Sequence, residues 1–239
     1  MKEPGLPATS SRKEIDSFLD KVGKTPVVKP EGDRGRLIFA MDATASRQPA
    51  WDHACKIQGD MFMATEKLGG LDVQLCFYRG YGEFSFSPWY SNSADLLARM
   101  NSVFCLGGLT QIFKVLKHTI KEAKKMKVHA LVFVGDCMEE NVDSLCELAG
   151  QLGVMNVPVF MFHEGGDRAA AGVFSQIARL SGGACCPFDA NSASQLKELL
   201  SAVAVYAAGG RKALERYSNG KPGPLGLLTR QLNKGRGSR

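Results

Sequence analysis

Short apolar runs alternate with longer amphipathic stretches along most of this chain, and that alternation limits the fold more than any other feature. Residues 36–41, 71–78, 128–134, 157–162 and 184–188 read as strands. Residues 50–68, 93–104, 110–127, 142–152, 169–180 and 192–208 read as helices from their apolar spacing. Residues 83–87, where Ser alternates with Phe ahead of Pro88, fit a short edge strand. Strands separated by helices of ten or more residues need crossover connections. Those give a mostly parallel sheet with helices on both faces. The expected class is α/β, doubly wound.

A chain of 239 residues with 44% hydrophobic content can build one such domain with a full core. Residues 11–22 carry helical spacing and a capping box, Ser11 with Glu14, and a Pro/Gly linker follows. The organisation read from this is an N-terminal helix and linker at 1–35, the α/β domain at 36–208, and a basic flexible tail at 209–239. Charge separates the last two. Residues 211–239 hold eight basic side chains and one acid, a net +7, so the formal +6 of the whole chain leaves residues 1–210 one unit negative. No apolar run is long enough to span a bilayer, and the polar start does not resemble a signal peptide. The expected location is cytoplasmic, with no membrane contact. Seven cysteines in no Cys-x-x-Cys pattern agree with a reducing compartment, and with only four histidines beside them they argue against zinc.

Two strands end in an aspartate. Asp42 closes the first and opens the loop Asp42-Ala43-Thr44-Ala45-Ser46; Asp136 follows the run ending in Val134-Gly135. Thr110, after Gly107-Gly108-Leu109, opens a helix. Each has an ordinary explanation alone: an Asx turn at Asp42, helix caps at Ser46 and Thr110, a turn residue at Asp136. Those explanations do not say why oxygen-bearing side chains collect at the carboxyl edge of one parallel sheet, where ligands of such folds bind. Hydroxyl and carboxylate oxygens together suit a hard divalent cation such as Mg²⁺.

This set of residues resembles the metal-ion-dependent adhesion site of von Willebrand factor A (VWA) domains, with Asp42, Thr44, Ser46, Thr110 and Asp136 at the matching positions. The resemblance covers residues 36–208. It implies a six-stranded sheet with one antiparallel edge strand. It also implies a Mg²⁺ or Mn²⁺ ion whose last coordination position is left to an Asp or Glu of a protein partner. An AAA+ ATPase is the partner type that stand-alone domains of this family bring to mind. The sequence departs from the family after Asp136, where Cys137-Met138-Glu139-Glu140 stands in place of the frequent Gly. Glu139 or Glu140 either reaches the ion or forms the acidic first turn of the helix at 142–152, the reading that the helix dipole favours.

Arg47, Trp51, Tyr78, Arg79, Tyr81, Trp89 and Glu139 are the candidates for a partner-binding rim, since aromatics and Arg concentrate at interface hot spots. Trp51 also fits a core position, and Trp89 a cover for the edge strand. Two other functions stay open. The basic tail suits RNA or another nucleic acid held by charge. A phosphohydrolase is the second alternative, weakened because Thr44 stands where an Asp-x-Asp motif has its second acid. The reading favoured is an interaction module and not an enzyme.

Overall fold

In the computed structural model, which describes residues 16–17, 34–65, 68–188 and 193–219, the chain builds around strand β1, Gly35–Asp42. Every residue of β1 after Arg36 is buried, so both of its faces are packed. Such a strand reads as a continuous apolar run and belongs in the middle of a parallel sheet. It lies there between β2 (Leu71–Arg79) and β4 (Ala130–Gly135), parallel to both. Outward from β4 come β5 (Val159–Glu164) and β6 (Ala184–Phe188), also parallel. Beyond β2 lies β3 (Glu83–Tyr90), antiparallel. The order β3-β2-β1-β4-β5-β6 is the expected six-stranded sheet with one antiparallel edge.

Helices α1 (Gln48–Thr65), α2 (Ser93–Asn101), α3 (Ile112–Lys125), α4 (Val142–Val154), α5 (Arg168–Ser181) and α6 (Ala193–Asn219) cover the two faces. Side chains of a strand alternate between faces. Leu37, Phe39 and Met41 therefore pack with Trp51 and Met61 of α1, Met100 of α2 and Tyr206 of α6. Ile38 and Ala40 pack on the other side with Val115 of α3, Leu145 of α4 and Phe174 of α5. Each fully buried side chain of this size contributes about 1.5–3 kcal/mol.

From β1 the chain first winds to one side, through β2 and β3, and then returns to β4 on the other side. The switch point is the crevice between the carboxyl ends of β1 and β4, the place where open α/β sheets bind ligands. Asp42 ends one of these strands and Asp136 follows the other.

Two elements differ from expectation. β3 does not stop at Ser87 but runs through Pro88 to Tyr90. Proline is tolerated because the strand is at the edge and the register shifts opposite Gln74–Cys76. Ser87 Oγ accepts from Leu75 N at 3.0 Å, replacing a ladder bond that the shift removes. The last helix and the stub after it are one element, α6 (Ala193–Asn219), two helical pieces joined across Gly210, whose φ of 70° only glycine adopts without strain. Ala213 and Leu214 beyond this kink are buried in the core. The helix expected at 11–22, apart from Asp16 and Ser17, the linker up to Asp33, and the basic segment 220–239 lie outside the described residues.

Candidate metal centre

The loop after β1 is folded by Asp42 itself. Its Oδ1 accepts from Thr44 N at 2.7 Å, an Asx turn. Its Oδ2 accepts from the Tyr78 hydroxyl of the neighbouring strand at 3.2 Å. A 3₁₀ turn, Ala45–Arg47, follows; Thr44 stands at its N-cap but makes no capping bond with its side chain. The hydroxyl points elsewhere: Thr44 Oγ1 lies 3.4 Å from Ser46 Oγ. Ser46 Oγ donates to Asp136 Oδ2 at 2.8 Å. The two loops of the switch point are thus joined through a hydroxyl and a carboxylate. Asp42, Thr44, Ser46 and Asp136 thus lie along one chain of contacts.

Thr110 reaches this centre by another route. The loop carrying it is anchored by backbone, with Leu106 N donating to Ala43 O at 2.9 Å and Leu109 N to Gly80 O at 3.2 Å. Gly108 lies flat against the turn at Gly80, where a Cβ would come within 2.0 Å of the Gly80 carbonyl oxygen. Thr110 does not cap α3, because the N-cap position is Gln111. Its contacts run to the loop after β4. Thr110 N donates to Glu139 Oε2 at 3.0 Å, and Glu139 N donates to Thr110 Oγ1 at 3.1 Å.

Glu139 and Glu140, read from sequence as the acidic first turn of the following helix, serve a different one. α4 has its own cap, Asn141, which accepts from Ser144 N at 2.9 Å. Glu140 instead accepts from Ile112 N and, at 2.9 Å, from Phe113 N. These are orphan first-turn amides of α3, whose N-cap Gln111 offers no side-chain bond. A carboxylate here also meets the positive end of the helix dipole. Glu140→Ala is expected to cost about 1–2 kcal/mol. A urea midpoint that does not move would show that α3 starts without it.

Charge is concentrated and poorly solvated. Asp42 is fully buried, and its carboxyl pKa is raised to about 6. Burial is the main cause and the nearby Asp136 adds to it, against the hydrogen bonds from Thr44 and Tyr78. The counter-charge within the fold is Arg47, only 2% exposed. Its guanidinium pairs with Glu164 of β5 and lies 3.7 Å from Asp136 Oδ2. Burial lowers its pKa. His163 Nε2 donates to the Asp136 carbonyl at 3.2 Å and steadies the loop from below.

The expected rim needs correction. Arg47 is inside, for the reason just given. Trp51 is core, in edge contact with Phe77, its indole N–H donating to Met100 O at 3.1 Å. Tyr78 is core as well and serves Asp42. Unlike Arg47, Trp51 and Tyr78, Glu139 is exposed, but its carboxylate is committed to Thr110. Trp89 covers the edge strand, beneath the Arg36 guanidinium, and Arg79 binds Glu83 and the Phe104 carbonyl. The exposed apolar side chains near the site are Tyr81, Phe104, Leu106 and Leu109. Only Tyr81 among these is legible as a rim candidate from sequence.

The donor set fits a divalent ion. Asp136 Oδ1 is buried without a hydrogen-bond partner among the described residues. One carboxylate oxygen each from Asp42 and Asp136 and the Cys137 sulfur lie within 4.8 Å of one another. Two carboxylates this close, one fully buried, repel each other unless a cation stands between them. Cys137 is the member of this group that sequence reasoning leaves out. Its one signal is adjacency to Asp136.

The fold and the place of this site define a VWA-like α/β domain. No family model matches the sequence, and no curated protein matches it. Similar solved structures do exist. The VWA domain of SpRpn10 is 12% identical, with a TM-score of 0.54 over 74% of this chain and 97% of that one. Proximal thread matrix protein 1 from the mussel byssus, with its adhesion-site motif occupied by zinc, is 14% identical, with a TM-score of 0.55 over 74% of this chain and 47% of that one. The minor pilin PilB of Streptococcus sanguinis is 9% identical, with a TM-score of 0.55 over 82% of this chain and 65% of that one. The chain thus spans less than two thirds of the pilin and about half of the mussel protein. Among the described residues, no helix is long and apolar enough to cross a membrane.

Proposed function

We propose that this chain is a metal-dependent protein-interaction module whose ion is held between the loops after β1 and β4. The observation that carries this is the meeting of Asp42, Ser46 and Asp136 at the switch point, with Asp136 Oδ1 unpartnered among the described residues. Asp42, Thr44, Ser46 and Asp136 would hold a Mg²⁺ or Mn²⁺ ion, with Thr110 beside them on the Gly80-anchored loop. An ion ligated by few anionic oxygens remains a strong acceptor, and a carboxylate from an Asp or Glu of a partner protein would complete it. The zinc-occupied site of the mussel thread protein supports a divalent ion in this position of the fold.

Recognition fits better than catalysis. Both Asp42 oxygens are engaged, by Thr44 and Tyr78, and the side chain has no exposed surface. That suits an anchor and handicaps a nucleophile, which needs an approach path to a phosphoryl group. Calorimetric titration with Mg²⁺ and Mn²⁺ is the direct test. The wild type binds one ion and Asp42→Ala loses it, with thermal unfolding in chelator reporting that the variant is folded. Equal binding by both proteins, or none by the wild type, would remove the ion from this reading.

A further inference from the structure

Cys137 is the one sulfur in a cluster otherwise made of oxygen. Its Sγ and the Asp42 and Asp136 carboxylates are mutually within 4.8 Å, and this is the single group of its kind among the described residues. The other six cysteines lie outside this group. A thiol at this point adds little to a site for Mg²⁺, which takes oxygen ligands in near-ideal octahedra. It adds much to a site for a softer ion. Zn²⁺ combines thiolate sulfur with carboxylate oxygen in tetrahedral sites, and three protein ligands with one open position is the arrangement that lets a further group bind. Softness of the ligand, more than raw affinity, is what separates the two kinds of ion.

We propose that the site selects a thiophilic divalent ion, Zn²⁺ above Mg²⁺, with the Cys137 thiolate as the third protein ligand beside Asp42 and Asp136. The proposal rests on the reading that this pair of aspartates holds an ion, and it changes which ion is held. The open position still faces a partner's carboxylate. On binding, the thiol proton passes to solvent, so no oxidant or reductant is involved.

The full chain, kept reduced, is titrated with Cd²⁺ and Co²⁺ as spectroscopic stand-ins for Zn²⁺, and the thiolate-to-metal charge-transfer band is followed. Wild type, Cys137→Ser and Asp42→Ala are compared. The band grows to one equivalent in the wild type and is absent from Cys137→Ser. Zn²⁺ affinity falls at least about 10–100-fold in Cys137→Ser, because losing a ligand costs no less than losing its outer-shell support. Thermal unfolding in chelator stays unchanged in that variant, which excludes a general loss of fold. A band that persists in Cys137→Ser belongs to other cysteines and overturns the proposal while leaving the ion between the aspartates intact. A band lost in Cys137→Ser but kept in Asp42→Ala takes the ion away from the aspartates, and then both readings fall.

Discussion

Asp42→Asn is expected to raise the stability of the metal-free protein at pH 7 and to abolish its response to divalent ions. The wild-type carboxyl has a pKa of about 6 in the fold, against an ordinary value of 3.8, because it is buried. A raised acid pKa means that the fold prefers the protonated form. Its contribution to stability is therefore complete below about pH 4 and is lost as pH climbs through about 6. At pH 7 the charged carboxylate costs the fold about 1–3 kcal/mol. Asn mimics the neutral acid: its oxygen still accepts from Thr44 N, and its amide can donate to the Tyr78 oxygen. The expected gain is several degrees in melting temperature for a domain of this size. Melts of both proteins in chelator between pH 4 and pH 7 check it. The difference should vanish toward pH 4; a variant less stable than wild type at pH 7 would refute the strain. A divalent ion should stabilise the wild type and leave the variant unmoved.

Arg47→Met is expected to have the second large effect, a loss of about 3 kcal/mol or more, the usual result of removing one partner of a buried ion pair. Glu164 and Asp136, whose side chains are 15% and 23% exposed, would each lose their positive neighbour. Two further results distinguish this from lost packing. Glu164→Gln in the Arg47→Met background should recover much of the loss, since it removes the stranded charge. Divalent ions should also stabilise Arg47→Met more than wild type, because the ion replaces a missing cation. Additive losses in the double variant would show that Arg47 acts by volume alone. The measurement is a urea double-mutant cycle, with and without Mg²⁺.

These effects show where sequence reasoning reaches and where it stops. β1 and β4 are legible because both faces are buried, which leaves unbroken apolar runs from Leu37 to Met41 and Leu131 to Val134. The crossovers follow from helix length, and with them the meeting of Asp42 and Asp136. Local chemistry is legible too: the Asx turn at Asp42 is visible from residue type. Partners distant in sequence are not. Arg47 looks like a rim residue until Glu164, 117 positions away, is found beside it. Glu140 looks like part of α4 until Ile112 and Phe113 are found under its carboxylate. Trp51 and Tyr78 have polar atoms that suit an interface equally well, and only burial decides between the two. Pro88 ends a strand by rule but not at an edge with a register shift.

The direction of β1 has a practical consequence. The strand begins at Gly35, tight against Ala207 and Ala208 of α6, and ends at Asp42. Seven residue steps separate the two, about 23 Å at the usual rise of a strand. Arg34 therefore stands at the opposite end of β1 from Asp42. A biotin, a dye or a sensor surface attached next to Arg34 is held by that strand about 23 Å from the loops after β1 and β4, clear of the proposed ion site.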